Sequence, residues 1–254
     1  MKLSRVIFFI ALFGAAFWLY RINYWQVMGH QNIKLSGKSG REISADLYAV
    51  NSPKGWLLMA HSMPETKESW NIFASDMQKF GYESLAFDLS GHGESDGGPD
   101  GYIKFSKEDH QAGIYDLETA WDYLKSRGAS SKKTAVIGGS IGANLSLLFL
   151  TEHPEISGGV LLSAGDYQGI NSAELVKKLN ADQKLLLAAS KLDERSAGNN
   201  SEQNAEYYNL ASQVKNRHLI LFEGKGHATE LFNLKEEYNL EEAIIKFLEI
   251  GKIN

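Results

Sequence analysis

Ser140 lies in Gly138-Gly139-Ser140-Ile141-Gly142, between one apolar stretch, Thr134 to Ile137, and a second, Ala143 to Leu148. A serine placed where a strand turns sharply into a helix has its hydroxyl exposed at the tip of the turn. Only small neighbours fit around such a turn, which accounts for Gly138 and Gly142. The chemistry available to this serine is nucleophilic attack on a carbonyl. A second run of the same form, Gly93-Glu94-Ser95-Asp96-Gly97, leads into Gly98-Pro99-Asp100-Gly101, a cluster of breakers that cannot open a helix. Ser140 is therefore the candidate nucleophile, and Ser95 is not.

A serine hydroxyl at neutral pH needs a base, an acid that orients the base, and donors for the oxyanion that forms. His227 follows the apolar stretch His218 to Phe222 on a glycine-flanked loop, Glu223-Gly224-Lys225-Gly226-His227-Ala228, and is the candidate base. Asp193 follows the stretch Lys184 to Ala189 and is the candidate acid, with Glu194 and Asp166 as its rivals. The backbone N–H of Ile141, next to the nucleophile, supplies one oxyanion donor. The second comes from Ala60-His61-Ser62-Met63-Pro64, with Met63 preferred and Ser62 the alternative. His61 is expected to brace that loop, because one base suffices.

These residues must sit at the ends of strands. Apolar runs at 56–60, 84–87, 134–137, 159–163, 184–189 and 218–222 alternate with helical stretches near 69–80, 109–125, 141–148, 172–179, 201–214 and 240–250. That alternation predicts βαβ units and a mainly parallel sheet, with ligands at the carboxyl ends of its strands. Ile43, Ala45, Leu47 and Ala49 alternate with their neighbours, so Glu42 to Val50 reads as an antiparallel edge, and Gly29 to Gly40 as a linker before it. About 20 residues join the strand ending near Ser163 to the one starting near Lys184, which leaves room for one cap helix. Tyr167, Ile170, Leu175 and Leu179 there either line the site or belong to the core.

A net charge of −5 with no basic stripe argues against a nucleic-acid partner. With no cysteine, thiolate metal sites, disulfides and a thiol nucleophile are all excluded. No phosphate-binding glycine loop or arginine clamp is evident, and neither a cofactor nor a metal is expected.

The N-terminus is a different matter. Lys2 and Arg5 precede an uninterrupted apolar or aromatic run, Val6 to Tyr20, which Arg21, Tyr24 and Trp25 follow. Residues 1–28 are expected to form a hydrophobic helix that meets a membrane, with residues 29–254 as the catalytic domain. At about 1.5 Å per residue the run is short of a bilayer core roughly 30 Å thick unless Ile22 to Met28 extend it. An uncleaved signal-anchor would hold the enzyme at the cell membrane, outside the cytoplasm. Cleavage after Gly14-Ala15-Ala16 would instead release it as a secreted or periplasmic protein.

Beyond that segment the chain resembles the α/β-hydrolase superfamily, and in detail the small bacterial serine esterases grouped with dienelactone hydrolases and monoacylglycerol-lipase-like proteins. The matching pieces are Ala60-His61-Ser62-Met63, Asp88-Leu89-Ser90-Gly91-His92-Gly93-Glu94-Ser95, the Ser140 turn, and the loops of Asp193 and His227 in the order Ser, Asp, His. The resemblance implies a twisted, mainly parallel sheet with helices on both faces and a minimal cap, structural roles for His92 and Ser95, and hydrolysis of a small-molecule ester. Ser62 departs from the His-Gly of many relatives. A serine peptidase, thioesterase or acyltransferase would use the same groups, and a membrane-tethered binding protein on this scaffold is the non-catalytic alternative.

Overall fold

The computed structural model describes residues 29–37, 40–237 and 239–249. The N-terminal segment 1–28, with its expected membrane helix, lies outside the described residues, and among those described no helix is long and apolar enough to cross a membrane.

Eight strands form one sheet: β1 (Gln31–Ser36), β2 (Glu42–Tyr48), β3 (Gly55–Ala60), β4 (Tyr82–Phe87), β5 (Thr134–Gly139), β6 (Gly158–Leu162), β7 (Lys184–Ser190) and, after a small hairpin of β8 (Glu194–Arg195) and β9 (Gly198–Asn199), β10 (Asn216–Phe222). The order is β1-β2-β4-β3-β5-β6-β7-β10. Only β2 runs against its neighbours, β1 and β4; every other pairing is parallel. Strands β3 to β6 are buried along their whole length, and their near-continuous apolar sequences are what a sheet covered on both faces requires.

The expected linker contains a strand. Gln31–Ser36 pairs in register with β2, and Leu35 is buried, so the sheet's edge is β1 and the alternating segment beginning at Glu42 is the second strand. A strand with one apolar residue in two and a lysine facing water is a protected edge, which hides its signal in a polar sequence.

One face of the sheet is covered by α3 (Ile114–Ser126), α4 (Ile141–Glu152), the short α5 (Ser172–Val176) and α6 (Asn200–Leu210). The other is covered by α1 (Asn71–Lys79), a 3-10 turn over Ala228–Asn233 and α7 (Leu240–Glu249). The expected helix near 109–125 is two: α2 (Lys107–Gln111), opened by a capping box of Ser106 and Asp109, breaks at Ala112-Gly113 before α3 begins. Helix α5 is the only helix between β6 and β7, so the cap is minimal, as expected.

Candidate active site

Because β3 to β7 and β10 run parallel, their carboxyl ends lie along one edge of the sheet, and each candidate residue follows one of them. Ser140 follows β5, where the chain turns at once into α4. Its φ of 52° and ψ of −119° are those of a strained turn, held by a hydrogen bond from the Ser140 N–H to the Leu162 carbonyl at 2.9 Å. The glycines around it are sterically obligatory. A Cβ on Gly138 would lie 2.2 Å from the Gly142 carbonyl oxygen, and one on Gly142 would lie 2.4 Å from that of Ala60. The second contact brings the start of α4 against the loop after β3, so the Ile141 amide and the Met63 loop share one corner. As the first residue of α4, Ile141 has an N–H with no carbonyl partner inside its helix.

His227 and Asp193 meet. His227 Nδ1 lies 2.6 Å from Asp193 Oδ2. A carboxylate only accepts, so Nδ1 carries a proton, and in the neutral ring Nε2 is the acceptor. The Asp193 side chain is 3% exposed and that of His227 12%. Burial pushes the Asp193 carboxyl up, but its bonds to His227 and Arg195 outweigh burial and hold it below the usual carboxylate range. The rivals lie elsewhere. Asp166 accepts from the Ser172 N–H at 3.0 Å and the Tyr207 hydroxyl at 2.9 Å, and Glu194 accepts from Asn199 Nδ2 at 2.7 Å.

The histidine loop is fixed at both sides of His227. Its own N–H donates to Glu230 Oε2 at 2.9 Å, and the next N–H, of Ala228, donates to Ser163 Oγ at 3.0 Å. A Cβ on Gly139 would come within 2.8 Å of the Ala228 Cβ, so the loop rests directly on the Ser140 turn. Among the described residues no hydrogen bond joins His227 Nε2 to Ser140. The Tyr167 hydroxyl lies near the Ser140 side chain and pairs with the buried amide of Asn200 at 2.6–2.8 Å. The Tyr167 ring stands edge-on to His227 at 6.5 Å. Of the residues between β6 and β7 whose place was open, Tyr167 faces the site, whereas Ile170, Leu175 and Leu179 are buried in the core.

His61, His92 and Ser95 hold loops. His61 Nδ1 donates to the Ser62 carbonyl at 2.8 Å, and Nε2 accepts from the Leu89 N–H at 2.9 Å, which joins the loops after β3 and β4. Burial, reinforced by His92, pushes His61 down to about 4, so the ring is neutral near pH 7. His92 stacks on Tyr102 at 4.3 Å. Ser95 Oγ donates to the Asp88 carbonyl at 2.7 Å and accepts from the Ser44 N–H at 2.9 Å. No group of metal-ligating side chains is present among the described residues.

Sequence reasoning passed over Arg195, whose Nε donates to Asp193 Oδ1 at 2.8 Å, and Ser163. A basic residue two positions beyond the acid was the available signal for the first; for the second there was none, since its partner lies 65 residues away.

A fold comparison finds similar architecture in an esterase of Pyrococcus furiosus, with a TM-score of 0.70 and 19% identity over 87% of this chain and 92% of that one. A predicted CIB-like hydrolase of Thermoplasma acidophilum superposes with a TM-score of 0.61 and 20% identity over 86% of this chain and 95% of that one. A thermostable carboxyl esterase of Bacillus coagulans gives 0.68 and 13% identity over 87% and 98%. A search of curated protein sequences found no match. The family model described as serine aminopeptidase, S33, matches residues 51–224, a stretch that holds Ser140 and Asp193 and stops just short of His227. The chain belongs to this S33 serine hydrolase family of the α/β-hydrolase superfamily.

Proposed function

We propose that this protein is a serine hydrolase that cleaves carboxylic esters or thioesters of small molecules, with Ser140 as nucleophile, His227 as base and Asp193 as the acid that orients it. The observation that carries this reading is the 2.6 Å pairing of His227 Nδ1 with buried Asp193, on a loop that rests against the strained Ser140 turn. Asp193 holds the imidazole as the Nδ1–H tautomer, so Nε2 accepts the Ser140 proton as Oγ attacks the carbonyl carbon. Attack requires Ser140 Oγ to come within hydrogen-bond reach of Nε2, in keeping with catalytic hydrogen bonds that tighten only when substrate binds. The tetrahedral oxyanion takes the N–H groups of Ile141 and Met63. The imidazolium then protonates the leaving alkoxide or thiolate, and water, deprotonated by the same Nε2, releases the acid from the acyl-enzyme.

Covalent labelling by a fluorophosphonate tests the nucleophile, and a panel of short- and long-chain esters tests the reaction. Ser140→Ala is expected to abolish both; labelling that survives the substitution overturns the reading. The family description favours a second reading, removal of N-terminal residues from peptides by the same groups. Faster turnover of aminoacyl p-nitroanilides than of any ester in the panel would select it.

From its sequence we also propose that the segment 1–28 tethers the domain to a membrane. Retention of the full chain in a carbonate-washed membrane fraction supports the tether, and a mature chain beginning at Phe17 replaces it by secretion.

A further inference from the structure

The acid of the site carries two cationic or potentially cationic partners, one on each oxygen. Asp193 Oδ2 holds His227 Nδ1 at 2.6 Å, and Oδ1 accepts from Arg195 Nε at 2.8 Å. This is unlike the ion pairs at the surface. Lys215 and Asp182, for example, are 74% and 85% exposed, where such a pair contributes little. The Asp193 side chain is 3% exposed, while that of Arg195 is 43% exposed, so the guanidinium reaches inward from the rim of the site.

The chain is shaped to put it there. Immediately after Asp193, Glu194 and Arg195 pair antiparallel with Asn199 and Gly198 in the β8–β9 hairpin. Gly198 takes a φ of +112°, which side-chain-bearing residues rarely adopt. The hairpin is pinned where it leaves the sheet and where it joins α6. The Asn200 N–H donates to the Asp193 carbonyl at 3.0 Å, Asn199 Nδ2 donates to the Lys191 carbonyl at 3.0 Å, and Asn199 Oδ1 caps α6 at the Ser201 N–H, 2.9 Å away. Arg195 is thus placed by backbone geometry as well as by charge.

Resting on the triad reading above, we propose that Arg195 is a positioning residue: it fixes the Asp193 carboxylate so that Oδ2 alone faces His227, and it sets a positive charge beside the pair. Two consequences follow from the electrostatics. A charge-assisted bond on one oxygen restrains the rotation of the carboxylate, and so the direction in which the other accepts. A fixed positive charge near the pair opposes the arrival of a second on the ring. The other titratable groups facing the pair are Glu230, whose carboxylate accepts the His227 N–H, and Tyr167, whose ring meets His227 edge-on.

The test compares Arg195→Gln, Arg195→Lys and the unaltered full-length protein by two readouts: the pH profile of kcat/KM on a soluble ester, and NMR titration of the His227 ring, which needs no turnover. In Arg195→Gln both the acidic limb and the ring's titration midpoint are expected to move up by about 0.5 to 1 pH unit, the effect of a partly screened charge. Arg195→Lys is expected to restore the limb but not the full kcat, because an ammonium keeps the charge and loses the directed Nε–H that orients the carboxylate. An unmoved midpoint in Arg195→Gln, or an equal shift in both variants, overturns the proposal. Absence of hydrolysis together with a shifted midpoint overturns the triad reading alone and leaves the role of Arg195 standing.

Discussion

The Ser163 hydroxyl accepts the backbone N–H of Ala228 at 3.0 Å, tying the end of β6 to the residue that follows the candidate base. Both residues have a positive φ, 51° in each case, so the tie joins two strained points. Ser163→Ala leaves a buried N–H without a partner, at a cost of about 1–3 kcal/mol. With the loop no longer tied, turnover is expected to fall by about 10- to 100-fold while the fold persists, because small displacements of a catalytic group are costly. Kinetics alongside circular dichroism check this; unchanged turnover shows that the Glu230 contact holds the loop alone.

The three carboxylates weighed as the acid are separable by substitution. Asp193→Asn reverses the polarity of the bond to His227 and is expected to lower turnover by roughly 10³ to 10⁴. Asp166→Asn and Glu194→Gln disturb only local bonds to Tyr207, Ser172 and Asn199, and are expected to stay near the unaltered rate. A crippled Asp166→Asn beside a near-normal Asp193→Asn would move the acid to the end of β6.

Ser95 shares its sequence pattern with Ser140 but braces the interior. Ser95→Ala removes a buried hydroxyl with two partners, Ser44 and Asp88, and is expected to cost about 1–3 kcal/mol in urea denaturation. Fluorophosphonate labelling is expected to survive it. Loss of labelling in the folded variant would contradict a purely structural Ser95.

Two buried groups pull the acid stability in opposite directions. Burial pushes the Asp116 carboxyl up to about 6 in spite of two hydrogen bonds from Ser90. The native state therefore binds this proton more tightly than the unfolded chain, and the contribution is full below the ordinary carboxylate range and lost as pH rises through about 6. His61, pushed down to about 4 chiefly by burial, contributes above its ordinary value, and that contribution is lost as pH falls through about 4. Each effect is on the order of 2–3 kcal/mol for a shift of about two units. Asp116→Asn is expected to leave the His61 slope uncompensated, so that urea midpoints fall more steeply between pH 6.5 and 4 than in the unaltered protein. Parallel curves for the two proteins would refute this.

The sequence alone determined the α/β alternation and the turn at Ser140, and it supplied Ser140, Asp193 and His227 as candidates in that order, because each rests on local chemistry. Apolar runs make strands buried on both faces, small residues are needed around the tight turn at Ser140, and loops at strand ends carry the polar residues. The sequence preferred Asp193 to Asp166 and Glu194, but only the tertiary structure shows that Asp193 is the one in contact with His227. β1 stayed hidden because a protected edge looks like a polar linker until its partner is in place. The contacts of Tyr167 and Ser163 were decided only by folding, since each meets a residue from another loop that no spacing encodes, whereas Arg195 stands two positions beyond Asp193 and needed only the hairpin to turn it onto the carboxylate.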